Sequence, residues 1–229
     1  MRELLPGLWH WEAPHPEWEG SVRWGQEVSS YAIDDGGRLL LFDPIAPPSE
    51  ILELAADRDP VVVLTAPWHE RDSRSLVERL GAPVFVPPPD TQEDLMRKYG
   101  VTAEEAAGGS PDVAWLLAGD AGEAHLYAAG DRLPVGVEAF PGRLPNDLVL
   151  WIENRRALVV GDTLIDFGHG LEISPEWLPE VFWLPRGVTR EQIAEALRPL
   201  LALPVEHVLA THGGPTDRAA LERALSSSY

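Results

Sequence analysis

The sequence contains no cysteine. This absence excludes disulfide bonds, zinc–thiolate sites and a thiol nucleophile, so any bound metal must be held by histidine, aspartate or glutamate side chains. No apolar run has the length of a membrane span, and the first residues lack the apolar region of a secretory signal peptide. We therefore expect a soluble, cytoplasmic protein with no membrane partner.

Positive charge is also scarce. The chain has 18 Lys and Arg residues against 37 Asp and Glu residues, which gives a formal net charge of −19. The few basic residues are scattered along the chain, and a strongly acidic protein repels the phosphate backbone of nucleic acids. The sequence thus predicts no nucleic-acid partner, whereas a small-molecule ligand and a homo-oligomer both stay open.

Apolar residues are abundant enough for one substantial core, since 45% of the 229 residues are hydrophobic. The strand-like segments VSSYAID and RLLLFD are separated by DGG, a sequence that favours a tight β-hairpin turn. Helix-like and strand-like segments then alternate, in the order ILELAADR, PVVVLT, RDSRSLVERLG and APVFVP. This order predicts an α/β fold in which helices cover two mixed β-sheets.

The middle of the chain, about residues 87–123, differs from both flanks. Its sequence PPPDTQEDLMRKYGVTAEEAAGGSPD contains polar, helix-forming pieces interrupted by proline and glycine, which predicts a helical flap or insertion. Strand-like segments resume with EAHLYAA, LPVGVEAF, DLVLWIE and RALVVGD, and the chain closes with helix, strand and helix.

Four loops that follow predicted core strands contain histidine or aspartate. They are TAPWHERD after Leu64, AFPGRLPND after Val137, GDTLIDFGHG after Val160 and THGGPT after Ala210. Strand ends of layered α/β folds commonly meet at one cleft, so we expect these loops to converge.

The order and spacing of these segments resemble the metallo-β-lactamase superfamily over nearly the whole chain. The matching pieces are SYAIDDGGRLLLFD, VVVLT, FPG, ALVVGDTL and VLATHGGP. The resemblance implies a four-layer α-β-β-α sandwich, formed here by residues 1–229 as a single domain. It also implies one or two bound metals, usually zinc, held by a T-H-x-H-x-D-H loop, a G-H-T-P-G loop, a G-D aspartate and a last histidine in a strand-end loop.

Most of the ligands that the resemblance implies are missing. Five positions of the family's pattern carry other residues, namely Ala66, Trp68, Glu70, Arg71 and Ala139. Only Asp162 and His212 match ligand positions directly. One carboxylate cannot hold a tetrahedral zinc at the first metal position, so a dinuclear zinc hydrolase is not expected.

Two interpretations of the remaining residues stay open. If the loop is shifted by about one residue, His69 and Asp72, spaced i,i+3 at a helix start, could join Asp162 and His212 around one zinc or other divalent metal. In the preferred interpretation no cofactor is bound, and the guanidinium of Arg71 replaces the metal's charge beside Asp162. The catalytic residues stay undetermined at this point, with Asp72, Arg71 and Asp162 as the candidates.

The sequence also predicts the residues around this site and a range of functions. Trp68, Glu70, Arg71 and His169 are expected to line the pocket, with the Trp68 ring filling the vacated metal space. The first hypothesis is a hydrolase-like protein with a degenerate metal site. The alternatives are a single-metal hydrolase of a small ester, thioester or phosphoester, and a non-catalytic module that binds a small ligand or another protein.

Overall fold

The fold is taken from a computed structural model, which describes residues 1–16, 18, 20, 25–174, 177–178, 182–183 and 187–226. Within these ranges, no helix is both long and apolar enough to cross a membrane.

A seven-stranded mixed sheet forms the first half of the chain. Its strands, in spatial as well as sequence order, are Arg2–Leu5, Leu8–Pro14, Glu27–Asp34, Arg38–Phe42, Asp59–Val63, Val84–Val86 and Ala124–Leu126 (β1 to β7). The pairs from β1 to β4 are antiparallel, and those from β4 to β7 are parallel. The predicted hairpin is confirmed, since Asp34 of β3 pairs with Leu39 of β4 and Gly36 takes the positive φ of 92° that the turn requires.

A six-stranded mixed sheet forms most of the second half. Its strands are Arg132–Leu133, Val137–Leu144, Asp147–Ile152, Ala157–Val159, His207–Leu209 and Pro215–Asp217, which we call β8, β9, β10, β11, β16 and β17. They lie in the spatial order β17-β16-β11-β10-β9-β8, and β11 and β16 run parallel. Two short antiparallel strand pairs lie between β11 and β16 in the chain, formed by Leu164–Asp166 with Leu171–Ile173 (β12, β13) and by Trp177–Leu178 with Phe182–Trp183 (β14, β15).

Six α-helices accompany the sheets in the part of the chain that the structure describes. They span Ser49–Ala56, Ser73–Leu80, Gln92–Tyr99, Ala114–Leu117, Arg190–Leu197 and Arg218–Ser226 (α1 to α6). Three hydrophobic clusters separate the layers, one under α1 and α2, one between the two sheets and one under α5 and α6. The molecule is therefore a four-layer α-β-β-α sandwich, as the sequence predicts.

Strand β4 shows how the sequence specifies these layers. Leu39 and Leu41 belong to the cluster beneath α1 and α2, whereas Leu40 and Phe42 belong to the cluster between the sheets. Successive side chains of a strand point to opposite faces, so a strand that is buried on both faces needs an unbroken apolar run. The run RLLLF supplies it.

The segment 87–123 contains α3 and α4 and is fastened to the body by polar contacts. Thr91 begins α3 with a capping box that involves Asp94. At the other end of α3, the buried Lys98 ammonium pairs with Asp90 and donates to Asn146 Oδ1 at 3.1 Å. Asn146 lies in the turn between β9 and β10, so this network ties the segment to the second sheet.

The buried pair predicts a large difference between two adjacent positions of α3. Lys98→Met should destabilise the fold by about 3–5 kcal/mol, because it leaves the Asp90 carboxylate buried without its cation. Arg97→Met is the matched control: Arg97 is 64% exposed, against 7% for Lys98, and surface pairs contribute only about 0–1 kcal/mol. Urea unfolding of the three proteins measures both effects, and equal stabilities would contradict the structural role of Lys98.

Candidate functional site

Three loops bring polar side chains to one edge of the sandwich. His69 ends the 3-10 turn Pro67–His69 shortly after β5. Asp162 follows β11 and His212 follows β16, and since these strands are parallel their carboxyl ends lie at the same edge. One ligand atom from each of these three residues lies within 4.8 Å of the others, and all three side chains are buried.

The Asp162 carboxylate is the centre of this group, and its side chain is only 1% exposed. Its Oδ1 lies 3.1 Å from His69 Nε2 and 3.2 Å from His212 Nε2. Its Oδ2 accepts hydrogen bonds from Trp68 Nε1 at 2.9 Å and from Arg143 Nη2 at 3.1 Å. Both oxygens are thus satisfied by two neighbours each, which offsets the cost of burying the charge.

Asp43 orients His69 from the opposite side. His69 Nδ1 lies 3.1 Å from Asp43 Oδ2 and 3.0 Å from Thr65 Oγ1. The backbone N–H and the hydroxyl of Thr65 both donate to the same carboxylate, at 2.8 and 2.6 Å. The sequence analysis missed Asp43, although its place directly after β4 is the strand-end position at which the other site residues were found.

The guanidinium that pairs with Asp162 is that of Arg143. The sequence analysis assigned this role to Arg71, and the structure shows that assignment to be wrong. The buried Arg143 guanidinium bridges two carboxylates, donating from Nε to Asp147 at 2.5 Å and from Nη2 to Asp162, and it lies 5.8 Å from the centre of the Trp68 ring. The segment AFPGRLPND was predicted to be a loop of the site, but it belongs to strand β9 as far as Leu144, and the family pattern indicated a histidine at Ala139 rather than a role for Arg143.

Arg71 makes different contacts because its backbone adopts a left-handed conformation. Its φ of 41° lies in the left-handed region, so the 3-10 turn that ends at His69 and helix α2 are not one continuous helix. Its Nη1 donates to the main-chain oxygens of Ser29 at 3.1 Å and Asp43 at 2.7 Å.

The same turn separates Asp72 from the three clustered residues. The i,i+3 argument for His69 and Asp72 requires a continuous helix, and that helix is interrupted at Arg71. Asp72 is instead the N-cap position of α2, and its Oδ2 accepts a hydrogen bond from the Ala46 backbone N–H at 2.6 Å. The structure therefore does not place Asp72 among the candidate ligands or catalytic groups.

The remaining predicted pocket residues lie in three different surroundings. Trp68 borders the cluster and binds Asp162, as described above. Glu70 accepts hydrogen bonds from the Val113 backbone at 2.7 Å and from Trp115 Nε1 at 3.2 Å, so it fastens the segment 87–123 rather than lining a pocket. His169 is exposed in the loop between β12 and β13.

Burial and the carboxylates together set the protonation of the two histidines. Burial alone would lower the pKa of His69, but the charges of Asp162 and Asp43 outweigh it and raise that pKa to about 9. Burial lowers the pKa of His212, against the opposing effect of Asp162. Burial would raise the pKa of Asp162, but His69, His212 and Arg143 hold it well below its usual range. At neutral pH His69 is therefore cationic, His212 is neutral, and both Nε2 atoms donate protons to an ionised carboxylate.

With His69 protonated, the formal charges of the three carboxylates and three cations around the site sum to zero. The carboxylates of Asp43, Asp147 and Asp162 are matched by the guanidinium groups of Arg71 and Arg143 and by protonated His69. We call these six residues together with His212 and Trp68 the central cluster.

The donor atoms of the central cluster fit one divalent metal ion. Two imidazole nitrogens and one carboxylate oxygen are a common ligand set for zinc and iron, and a second carboxylate behind one histidine, as Asp43 is here, typically orients that ligand. Among the described residues a second ion has no comparable set, since Ala66 and Ala139 offer no side-chain donor and Asp162 Oδ2 is bound by Trp68 and Arg143.

No known family model matches the chain, and no curated protein matches it in sequence. Solved structures do match it. The metallo-β-lactamase family protein TTHA1429 from Thermus thermophilus is 20% identical with a TM-score of 0.59, covering 97% of this chain and 78% of its own. The B3 metallo-β-lactamase BLEG-1 is 16% identical with a TM-score of 0.57, covering 96% of this chain and 100% of its own. TTHA1623, solved in a di-iron-bound form, is 24% identical with a TM-score of 0.56, covering 86% of this chain and 93% of its own. The chain therefore has the metallo-β-lactamase fold.

Proposed function

We propose that this protein is a hydrolase that works with a single divalent metal ion, held by His69 Nε2, Asp162 Oδ1 and His212 Nε2. The convergence of these three buried donor atoms at the carboxyl ends of core strands carries the proposal. Three protein ligands leave a coordination position for water or substrate, which is the arrangement typical of catalytic rather than structural sites. Small esters, thioesters and phosphoesters are the proposed substrates.

The surrounding residues support one ion and oppose a second. Trp68 and Arg143 hold Asp162 Oδ2, which leaves Oδ1 directed at the two histidines. Asp43 holds the far nitrogen of His69, so that the imidazole keeps its orientation when Nε2 gives up its proton. Asp162 Oδ2, the carboxylate oxygen left over for a second ion, already accepts hydrogen bonds from Trp68 and Arg143.

The chemistry that an ion supplies at such a site is Lewis-acid activation of water or of a substrate oxygen. Binding requires His69 to release one proton, since a metal ligand must present a free lone pair. When a divalent ion replaces one proton, the formal charge of the central cluster changes from zero to +1. An anionic group of a ligand would restore the balance.

A second candidate function is a metal-free module that binds a small molecule. It is favoured by one specific observation, namely that Asp162 already has four neighbours and that protonated His69 balances the charge without an ion. The two proposals differ in metal content.

Metal titration of chelator-treated protein tests the first proposal. We expect one Zn²⁺, Fe²⁺ or Mn²⁺ per chain by calorimetry and elemental analysis, because only one complete donor set is present among the residues that the structure describes. His69→Ala and His212→Ala should each abolish tight binding, whereas His169→Ala, a change of an exposed histidine, should leave it unchanged. Asp43→Asn should weaken it by about 10–100-fold, the usual effect of removing a group that orients a metal ligand.

Chromogenic esters, thioesters and phosphoesters then test for hydrolysis by the loaded protein. Activity should require the ion and should be lost in His212→Ala. Two tightly bound ions per chain would contradict the single-ion site, no bound ion would leave only the metal-free module, and a loaded protein inactive on all three substrate classes would refute a hydrolase for these substrates.

The pKa of His69 predicts how metal affinity depends on pH. Because the ion must displace a proton from a group with a pKa of about 9, the apparent association constant should rise about tenfold per pH unit between about pH 6.5 and 8.5 and level off near pH 9. About one proton should be released per ion, which calorimetry in buffers of different ionisation enthalpy measures. An affinity that is already level above about pH 7 would show that His69 is neutral in the free protein.

A further inference from the structure

We propose that Arg71 binds a carboxylate or phosphate group of a small-molecule ligand beside the His69–Asp162–His212 group. This inference extends the proposed function by naming the substrate class, and it rests on that function for the identity of the ligand as a substrate. The oxyanion site itself does not require a metal, which allows the two proposals to be tested separately.

The hydrogen bonds of the Arg71 guanidinium leave one of its edges without an acceptor. Nη1 donates to the carbonyl oxygens of Ser29 and Asp43. Nε and Nη2 are buried, and neither has a hydrogen-bond partner among the residues that the structure describes. In the same ranges, no carboxylate oxygen lies within ion-pair distance of this guanidinium.

That edge has the geometry that oxyanions require. The Nε–H and Nη2–H bonds of a guanidinium lie in one plane and point in nearly the same direction, which matches two oxygens of a carboxylate or phosphate. A buried donor without an acceptor is unfavourable, so a ligand that supplies both oxygens removes a cost already present in the free protein. Arg143, the other guanidinium of the central cluster, cannot serve because Asp147 and Asp162 already bind it.

The position of Arg71 relates this edge to the proposed metal ligands. Asp43 contacts both parts of the site, with its main-chain oxygen on Arg71 and its carboxylate on His69. The left-handed backbone at Arg71 directs the residue away from the path of α2, where Arg74 instead pairs with Glu78 on the surface.

The net charge of −19 makes the inference easy to test. A strongly acidic protein repels anions over most of its surface, so saturable binding of a small oxyanion reports a local site.

We would add inorganic phosphate, acetate or chloride, at matched ionic strength, to chelator-treated protein and measure thermal unfolding and ¹H–¹⁵N spectra of the arginine side chains. Phosphate, acetate or both should stabilise the protein saturably and shift the Arg71 Nε resonance, whereas chloride should not. The two oxyanion arms distinguish a phosphorylated from a carboxylated ligand.

Arg71→Lys keeps the charge and removes the planar pair of donors, so the oxyanion should bind at least about tenfold more weakly. Arg74→Lys, on the exposed face of α2, is the matched control and should bind as the wild type does. His212→Ala should still bind the oxyanion, because it removes a proposed metal ligand and leaves Arg71 in place.

Three results would overturn the assignment. They are the absence of saturable oxyanion binding to the wild type, unchanged binding in Arg71→Lys, and oxyanion binding that occurs only after a divalent ion is added. The shift of the Arg71 Nε resonance is measured on the wild type, so it decides the question even if Arg71→Lys folds poorly. Failure of metal binding with oxyanion binding intact would refute the proposed metal site alone.

Discussion

A single buried carboxylate imposes the main constraint on this structure. Asp162 lies at the end of a core strand, where an ionised group is strongly unfavourable unless donors and positive charges surround it. The chain meets this requirement with four side chains, His69 and Trp68 from one turn, His212 from a loop after β16, and Arg143 from strand β9. The strand order of the sandwich brings these segments together, so the fold and the charge balance of the site depend on each other.

At the proposed metal site, a proton and a metal ion would compete for the same atoms. The carboxylates of Asp162 and Asp43 that make His69 a strong base would also make it a strong metal ligand, because both properties come from negative charge on either side of one imidazole. Trp68 and Arg143 both donate to Asp162 Oδ2, which is why we propose one ion rather than two. Glu70 and Lys98, farther out, fasten the segment 87–123 to the body that carries these loops.

The fold could be predicted from the sequence because its signals are local. The β-branched and aromatic residues of VSSYAID, the DGG turn and the unbroken apolar run of β4 each specify local structure from a few adjacent residues. Asp162 and His212 were found through short motifs at strand ends. Arg143 and Asp43 were not found from the sequence. Their partners, Asp162 and His69, are distant in the chain, and no local sequence pattern indicates such contacts. The left-handed turn at Arg71 had no signal either, since arginine has no preference for that conformation, and it accounts for the errors at Arg71 and Asp72.

A double-mutant cycle between Arg143 and Asp162 tests the central claim most directly. The unfolding free energies of wild type, Arg143→Met, Asp162→Asn and the double variant would be measured without metal, with the cycle between Arg71→Met and Asp162→Asn as comparison. The structure predicts a coupling of about 1–3 kcal/mol for Arg143 with Asp162, since partners in one buried network are not additive, and a clearly smaller coupling for Arg71. Additive effects of Arg143→Met and Asp162→Asn, or a stronger coupling of Asp162 to Arg71, would contradict the account.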